Sequence, residues 1–217
     1  EVGAESDRIA TSTDELTGVP SGLIDLDRLT SGFRPGELCI IAARPSVGKT
    51  ALATCIVRNA ATAGYPALMF SLEQSRLEIG ARLLCGESGI NSAALRAAGR
   101  GNRLAADRAE KLVDASGRLS ELPMWINDAA SQRVRHIATA ARRLKSQEAI
   151  RLIVVDYLQL IEHDGDRGAT LTERVANTSR ALKLRARDLD VPVLCLSQLS
   201  RRCEEEKRRP ALSDLPD

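Results

Sequence analysis

Short, continuous runs of apolar residues alternate along the chain with longer segments in which apolar side chains recur every three or four positions. The continuous runs are typical of strands buried on both faces, and the longer periodicity is typical of amphipathic helices. The runs predict strands at residues 38–43, 67–71, 123–126, 152–156 and 191–197. The periodic segments predict helices at residues 49–63, 74–85, 131–145 and 171–190, one short and one longer helix within 91–119, and a short helical turn around Leu23, Leu26 and Leu29.

This alternation of strands and helices predicts an α/β fold, a mostly parallel sheet with helices on both faces. In such sheets the carboxyl ends of the strands lie at one edge, and ligands bind there. We therefore expect the chemistry of the protein in residues that directly follow strands. Residues 1–16 are polar and lack strong periodicity, so we interpret them as a linker or arm ahead of a single domain at residues 17–217.

The overall composition is that of a globular protein. The chain has 217 residues, of which 43% are hydrophobic and 28% charged, and its formal net charge is +2. That balance of charge excludes a histone-like polycation and an acidic solvating tail. Only 2% of the residues are aromatic, so a surface that binds nucleic acid by stacking bases on aromatic rings is not expected.

The cysteines and the apolar runs bear on the location of the protein. Five cysteines are present and none forms a C-x-x-C pair, so we interpret them as thiols of a reducing cytosol rather than as disulfides or zinc ligands. No apolar run approaches the ~20 residues of a membrane span, and no signal peptide opens the chain. We therefore expect a cytoplasmic protein without a membrane partner.

The strongest candidate site is the segment after the first predicted strand. It matches the phosphate-binding loop pattern G-x-x-x-x-G-K-[ST], with alanine in place of the first glycine. Gly48 lets the backbone approach phosphates, Lys49 supplies positive charge, and Thr50 offers a hydroxyl to Mg²⁺. The alternative is that this segment is an ordinary glycine-containing turn between a strand and a helix. The predicted nucleotide-binding residues are Ala43, Arg44, Pro45, Ser46, Val47, Gly48, Lys49 and Thr50.

Three further polar residues follow or end predicted strands. Asp156 ends the run L-I-V-V-D, where an anion beside a phosphate loop can hold Mg²⁺ or its water shell; a helix-capping aspartate is the alternative. Glu73 can orient a water for attack on the γ-phosphate, and Gln198 can contact that phosphate. From spacing alone, the favoured alternatives are that Glu73 is a solvated glutamate in the first turn of a helix and that Gln198 is an ordinary loop glutamine.

Taken together, these residues resemble the ATPase motor domain of the DnaB-type replicative DNA helicases, a family with the RecA-like fold of phosphate-loop nucleoside triphosphatases. The loop A-R-P-S-x-G-K-T together with D-Y-L-Q-L is highly specific for that family. The segments that carry the resemblance are T-G-V-P-S-G at 17–22, G-F-R-P-G-E-L at 32–38, A-R-P-S-V-G-K-T at 43–50, F-S-L-E at 70–73, D-Y-L-Q-L at 156–160, L-S-Q-L-S-R at 196–201 and R-P-A-L-S-D-L at 209–215.

The resemblance implies a role for each matched residue. Lys49 and Thr50 would bind the phosphates and Mg²⁺ of ATP, and Asp156 would hold the metal through water. Glu73 would be the catalytic carboxylate, against the expectation from spacing alone, and Gln198 would sense the γ-phosphate.

The resemblance also implies partners. The family's motor is a homohexameric ring around single-stranded DNA, unwinds duplex in the 5′–3′ direction in DNA replication, and works with a primase and a helicase loader.

Two expectations concern the carboxyl-terminal part of the chain. A basic cluster there could face DNA, although a solvated run paired with the neighbouring glutamates is at least as plausible. The family's main DNA-contacting loop and the strands that carry its arginine finger are expected beyond Asp217, so we expect the sheet to lack the family's last strands and this chain alone to hydrolyse ATP slowly. The cluster comprises Arg201, Arg202, Lys207, Arg208 and Arg209.

Two other functions stay open at this stage. One is a RecA-like ATPase of recombination or clock type, in which ATP drives remodelling of a filament or ring. The other is a nucleotide-binding module that fixes an oligomer interface without turnover. The D-Y-L-Q-L neighbourhood argues against the first, and Glu73 and Gln198 argue against the second, because a pure binding site needs neither side chain.

Overall fold

The structure is a computed structural model that describes residues 17–100, 104–129, 132–162 and 170–199. Its strands are β1 (Leu38–Ala43), β2 (Ala67–Ser71), β3 (Met124–Asn127), β4 (Leu152–Asp156) and β5 (Val193–Gln198). Its helices are α1 (Ile24–Thr30), α2 (Lys49–Thr62), α3 (Arg76–Ser88), α4 (Ser92–Gly99), α5 (Ala106–Ser120), α6 (Val134–Glu148) and α7 (Leu171–Leu189), with a 3₁₀ turn at Leu158–Leu160.

The strands and helices predicted from the apolar pattern are present in this order, and only their ends differ. The helix predicted at 131–145, for example, lies at Val134–Glu148. The short helical turn predicted around Leu23, Leu26 and Leu29 is α1, but its buried residue is Asp27. The carboxylate of Asp27 accepts hydrogen bonds from the backbone N–H groups of Ser21 and Gly22. The helix therefore braces the turn that directly precedes it, while Leu29 stays 85% exposed.

The strands form one parallel sheet in the order β1-β5-β4-β2-β3. Because every strand runs in the same direction, all their carboxyl ends meet at one edge. The register aligns Ala43 with Gln198 and Ser71 with Asp156. Residues that are far apart in the sequence are thereby brought together at that edge, and the predicted α/β fold class is confirmed.

Helices cover both faces of the sheet, and this accounts for the continuous apolar runs. In β4, Ile153 and Val155 belong to one core together with residues of α6 and α7. Leu152 and Val154 belong to a second core with residues of α2 and α3. None of these four side chains is more than 1% exposed. A strand buried on both faces has no position at which a polar side chain is tolerated until it reaches the edge of the sheet.

Candidate nucleotide-binding site

The phosphate-loop segment connects β1 to α2 in the structure. Gly48 is the N-cap of the 14-residue helix α2 and has a φ of 106°, and Ser46 has a φ of 61°. A Cβ at Gly48 would meet no atom within 4 Å, so the backbone conformation, and not lack of space, favours glycine there. The alternation of left-handed and ordinary residues ahead of a helix N-terminus is the arrangement that turns successive N–H groups towards an anion.

Lys49 places its ammonium group at the carboxyl ends of β5 and β4. Its Nζ donates a hydrogen bond to the backbone oxygen of Ser197 at 3.1 Å and lies 5.1 Å from the centroid of the Tyr157 ring. Burial lowers the pKa of the Lys49 ammonium, and the carboxylates of Asp156 and Glu73 oppose that change. The lysine is thus held at the edge of the sheet by a carbonyl from β5 and an aromatic ring that follows β4.

Asp156 and Thr50 form the most tightly built contact in the site. The Thr50 hydroxyl donates to Oδ2 of Asp156 at 2.6 Å, and Asp156 is 0% exposed. Its other carboxylate oxygen, Oδ1, is buried and has no hydrogen-bond partner. Burial raises the pKa of the Asp156 carboxyl, while the hydrogen bond from Thr50 lowers it. A buried carboxylate oxygen without a donor is costly, and such sites are frequently functional.

The donor set at this point fits a magnesium ion. Mg²⁺ prefers oxygen ligands, retains several of its waters, and is usually bound by one or two carboxylates or hydroxyls together with substrate phosphates. Thr50 and Asp156 supply one hydroxyl and one carboxylate, and the unpartnered Oδ1 of Asp156 is free to accept from a metal-bound water. A hydrogen bond from such a water would replace part of the hydration that the Asp156 carboxylate loses by burial.

The predicted catalytic residues lie around one cavity of about 330 Å³ beside the loop. Glu73 follows β2 and Gln198 ends β5, and both line the cavity together with Lys49 and Thr50. Pro45, Ser46 and Gly48 line it as well. The structure therefore brings together Glu73 and Gln198, although sequence spacing alone favoured a solvated glutamate and a loop glutamine for them.

Three of the predicted nucleotide-binding residues do not line this cavity. Ala43 ends β1, and its backbone oxygen accepts a hydrogen bond from the N–H of Leu199. Arg44 follows it, and Val47 is 67% exposed. Neither these two nor Ala43 is among the residues that line the cavity. The role of all eight loop residues in nucleotide binding stays a prediction.

Arg82 is a residue of the site for which the sequence analysis assigned no role. It lies on α3, lines the same cavity as Glu73, and donates through Nη2 to Oε1 of Gln74 at 3.2 Å. Its positive charge contributes to lowering the pKa of Asp156. The signal in the sequence is its helical spacing. Arg82 lies seven residues, about two turns, after Ser75, the N-cap of α3. Arg82 and Ser75 are therefore on the same face of the helix.

Replacing Asp156 by asparagine is expected to stabilise the protein while removing magnesium-dependent nucleotide binding. The raised pKa means that the folded wild-type protein binds a proton more readily than the unfolded chain does, so its stability falls as pH rises through that range. The asparagine side chain does not titrate, so the stability of the variant does not fall in this way as pH rises. Its free energy of unfolding should exceed that of the wild type by about 1–3 kcal/mol at neutral pH, with the difference shrinking in acid.

Denaturant titrations of both proteins across pH would measure this difference. Equal stability of the two proteins at neutral pH would contradict the unfavourable burial of the Asp156 carboxylate. A difference that grows towards acid pH would contradict the assigned direction of the pKa shift.

Several predicted residues lie outside the described part of the chain. These are the linker at residues 1–16 and the basic cluster of Arg201, Arg202, Lys207, Arg208 and Arg209. The domain boundary at residues 16 and 17 and the DNA contacts of the cluster therefore stay predictions. Among the helices in the described ranges, none combines the length and apolarity needed to cross a bilayer.

Comparisons with known proteins agree on one family. The family model for the DnaB-like helicase C terminal domain matches residues 18–217. The replicative DNA helicase DnaB of Geobacillus stearothermophilus is 44% identical over 203 residues, covering 93% of this chain and 44% of that protein. The replicative DNA helicase DnaC of Bacillus subtilis (strain 168) is 43% identical over 203 residues, with the same coverage. The chain thus spans less than half the length of these curated relatives.

Solved structures give the same result for the fold. An ATPase domain superposes with a TM-score of 0.92 at 37% sequence identity, covering 99% of this chain and 75% of that one. A structure described as a DnaB-like replicative helicase and its interactions with primase superposes with a TM-score of 0.90, also at 37% identity, covering 99% of this chain and 51% of that one.

Proposed function

The chain belongs to the family of DnaB-like helicase C-terminal domains, and from this membership we propose that it is the ATP-driven motor of a replicative DNA helicase. In this proposal the protein hydrolyses ATP with Mg²⁺ and uses the energy to move along single-stranded DNA and to unwind duplex, with 5′–3′ polarity by family resemblance. It acts in DNA replication, and hence in the cytoplasm, at the replication fork.

The observation that carries the proposal is the pairing of a buried aspartate with a phosphate loop. Asp156 is fully buried, accepts from Thr50 through one oxygen, and has a second oxygen without a partner. A carboxylate kept in this state is costly to the free protein. Asp156 and Thr50 would hold a divalent cation that accompanies a nucleotide, and its charge would offset that cost, which supports nucleotide–magnesium binding as the purpose of the arrangement.

The residues of the loop provide binding and charge stabilisation. Backbone N–H groups around Ser46 and Gly48 accommodate the phosphate oxygens, and the ammonium of Lys49 balances the charge that develops on the γ-phosphoryl oxygens. When bound, Mg²⁺ neutralises charge on the phosphates and orients them. Phosphoryl transfer requires mainly positioning and electrostatics from the protein.

Glu73 and Gln198 provide the parts that a simple binding site does not need. The carboxylate of Glu73 accepts a proton from the attacking water and orients it in line with the bond to be broken. The amide of Gln198 donates to the γ-phosphate and loses that contact when the phosphate leaves. Both side chains line the same cavity as Lys49, which supports turnover rather than static binding.

Arg82 adds positive charge on the α3 side of this cavity. Its guanidinium is tethered to Gln74, the residue that directly follows Glu73. We assign it a supporting role in balancing the charges of the triphosphate and of Asp156 and Glu73. An arginine finger from a neighbouring subunit of the homohexamer is part of the same proposal, as is contact of the basic cluster at residues 201–209 with the DNA backbone.

The partners proposed for this motor follow from the family. They are single-stranded DNA, further copies of the same chain, a primase and a helicase loader. One solved relative is described by its interactions with primase, which supports the primase among these partners. The low aromatic content agrees with contact to the DNA backbone rather than stacking of bases.

Strand displacement on forked DNA by the full-length protein tests this function. We expect Mg²⁺-dependent ATP hydrolysis that single-stranded DNA stimulates, and unwinding that requires ATP. Hydrolysis without strand displacement would contradict the helicase and favour a remodelling ATPase. Nucleotide binding that changes the oligomeric mass without phosphate release would contradict turnover and favour an oligomerisation module.

A further inference from the structure

Strand β5 extends beyond its neighbour β4 at the edge of the sheet that carries the site. The pairing of β4 with β5 ends at Val155 and Cys195, because the chain leaves β4 after Asp156 and enters the 3₁₀ turn at Leu158–Leu160. The last three residues of β5, 196–198, pair only with β1. The backbone N–H and C=O of Gln198 therefore have no strand to bond on the β4 side.

The side chain of Gln159 occupies the place of the missing strand. Its Nε2 donates to the backbone oxygen of Gln198 at 3.1 Å and to Oγ of Ser197 at 3.1 Å. Its Oε1 accepts from the backbone N–H of Gln198 at 3.3 Å. An amide has the same donor and acceptor as a peptide group, so one side chain continues the ladder that the backbone of β4 abandons.

The orientation of this amide is fixed by its partners. The N–H of Gln198 can only donate and its C=O can only accept, so the oxygen and the nitrogen of Gln159 cannot be exchanged. On the opposite side of β5, the carbonyl of Ser197 accepts from Lys49. The end of β5 is thus held from one side by the phosphate-loop lysine and from the other by Gln159.

We propose that Gln159 is a positioning residue, whose amide fixes the end of β5 so that the Gln198 side chain meets the γ-phosphate of a bound nucleotide. Gln159 lies three residues after Asp156, so the turn that follows the metal-binding carboxylate also holds the residue that contacts the γ-phosphate. The inference rests on the proposed function, since it concerns the discrimination of a nucleoside triphosphate from a diphosphate.

The alternative is that Gln159 merely holds the fold together. A structural role would affect the affinities for triphosphate and diphosphate equally, or affect neither. A positioning role acts only where the γ-phosphate is present. The ratio of the dissociation constants for ADP and for a non-hydrolysable ATP analogue therefore separates the two, and it requires no turnover.

Titration calorimetry of the full-length protein with Mg²⁺ and ADP or adenylyl imidodiphosphate measures this ratio. We expect Gln159→Ala and Gln159→Glu to lower the preference for the triphosphate about tenfold, within the range for coupled residues of one hydrogen-bond network, with the affinity for ADP changed by less than about twofold. The glutamate variant is isosteric but lacks both N–H donors. Gln132→Glu is the matched control, because the Gln132 amide donates to the side chain of Asn127, the last residue of β3.

A double-mutant cycle with Gln198→Ala completes the experiment. If Gln159 acts through Gln198, its replacement has no further effect on the ratio in the Gln198→Ala background. An unchanged ratio in both Gln159 variants, or an equal loss in the presence and absence of Gln198, overturns the inference. Failure of the wild-type protein to bind either nucleotide overturns the proposed function instead, and this inference with it.

Discussion

Replacing Glu73 by glutamine is expected to lower the rate constant for ATP hydrolysis by about 10²–10⁴-fold, the usual contribution of a general base. The amide keeps the size of the side chain but cannot accept a proton from the attacking water. Because Glu73 is an exposed side chain that lines the cavity beside the loop, its replacement leaves the packing of the sheet unchanged. The affinity for nucleotide should stay within about threefold of the wild type, since a lost proton acceptor affects the transition state and not the ground state.

Single-turnover phosphate release together with nucleotide titration separates these two effects. Glu37→Gln is the matched control, because Glu37 precedes β1 and lies at the opposite end of the strand from the site. A Glu73→Gln variant that hydrolyses ATP at the wild-type rate would contradict the assignment of the catalytic carboxylate. A variant that loses binding instead would assign Glu73 to the nucleotide and not to the water.

Replacing Lys49 by alanine is expected to weaken the binding of magnesium–ATP by at least about 100-fold. The ammonium group can make up to three charge-assisted hydrogen bonds, each contributing about 1.5–3 kcal/mol. In the free protein it contacts only the Ser197 carbonyl and the Tyr157 ring among the contacts described, and burial lowers its pKa. The loss of the side chain should therefore reduce ligand affinity without unfolding the protein.

Calorimetry with ATP and magnesium, accompanied by a thermal unfolding curve, tests this expectation. Lys183→Ala is the control, since Lys183 also donates to a backbone carbonyl, that of Gly36, but near the start of β1. An unchanged affinity in the Lys49 variant would remove the phosphate-loop interpretation. A loss of affinity of the same size in the Lys183 variant would indicate an indirect effect on the fold.

The parts of the site that the sequence predicted are those set by local pattern. The phosphate loop is one of them. A continuous apolar run predicts the strand, the glycine, lysine and threonine after it predict phosphate binding, and the helical periodicity that follows predicts the helix, all within about twenty residues. Asp156 could be placed for the same reason, because a carboxylate at the end of a run buried on both faces must lie at an edge. Glu73 and Gln198 could not be assigned by spacing alone, and only the family resemblance gave them roles.

Other features follow from how the strands are ordered, which no local pattern determines. Strand order β1-β5-β4-β2-β3 puts the end of β5 between the loop and the turn after β4, and it is this order that allows Lys49 and Gln159 to hold Ser197 and Gln198 from opposite sides. Arg82 reaches the cavity because α3 packs beside α2 on one face of the sheet.

The sequence by itself determined the α/β class, the order of the elements, the phosphate loop and the acid at the end of β4, because each depends on residues that are neighbours in the chain. Only the tertiary structure decided that Gln159 continues a ladder that β4 leaves unfinished, that Arg82 lines the cavity beside the phosphate loop, and that one oxygen of Asp156 is buried without a partner. These features are distances between residues separated by tens of positions. They depend on the lengths and the order of packed strands. The hydrophobic periodicity of a single segment carries no information about which strands lie beside it in the sheet.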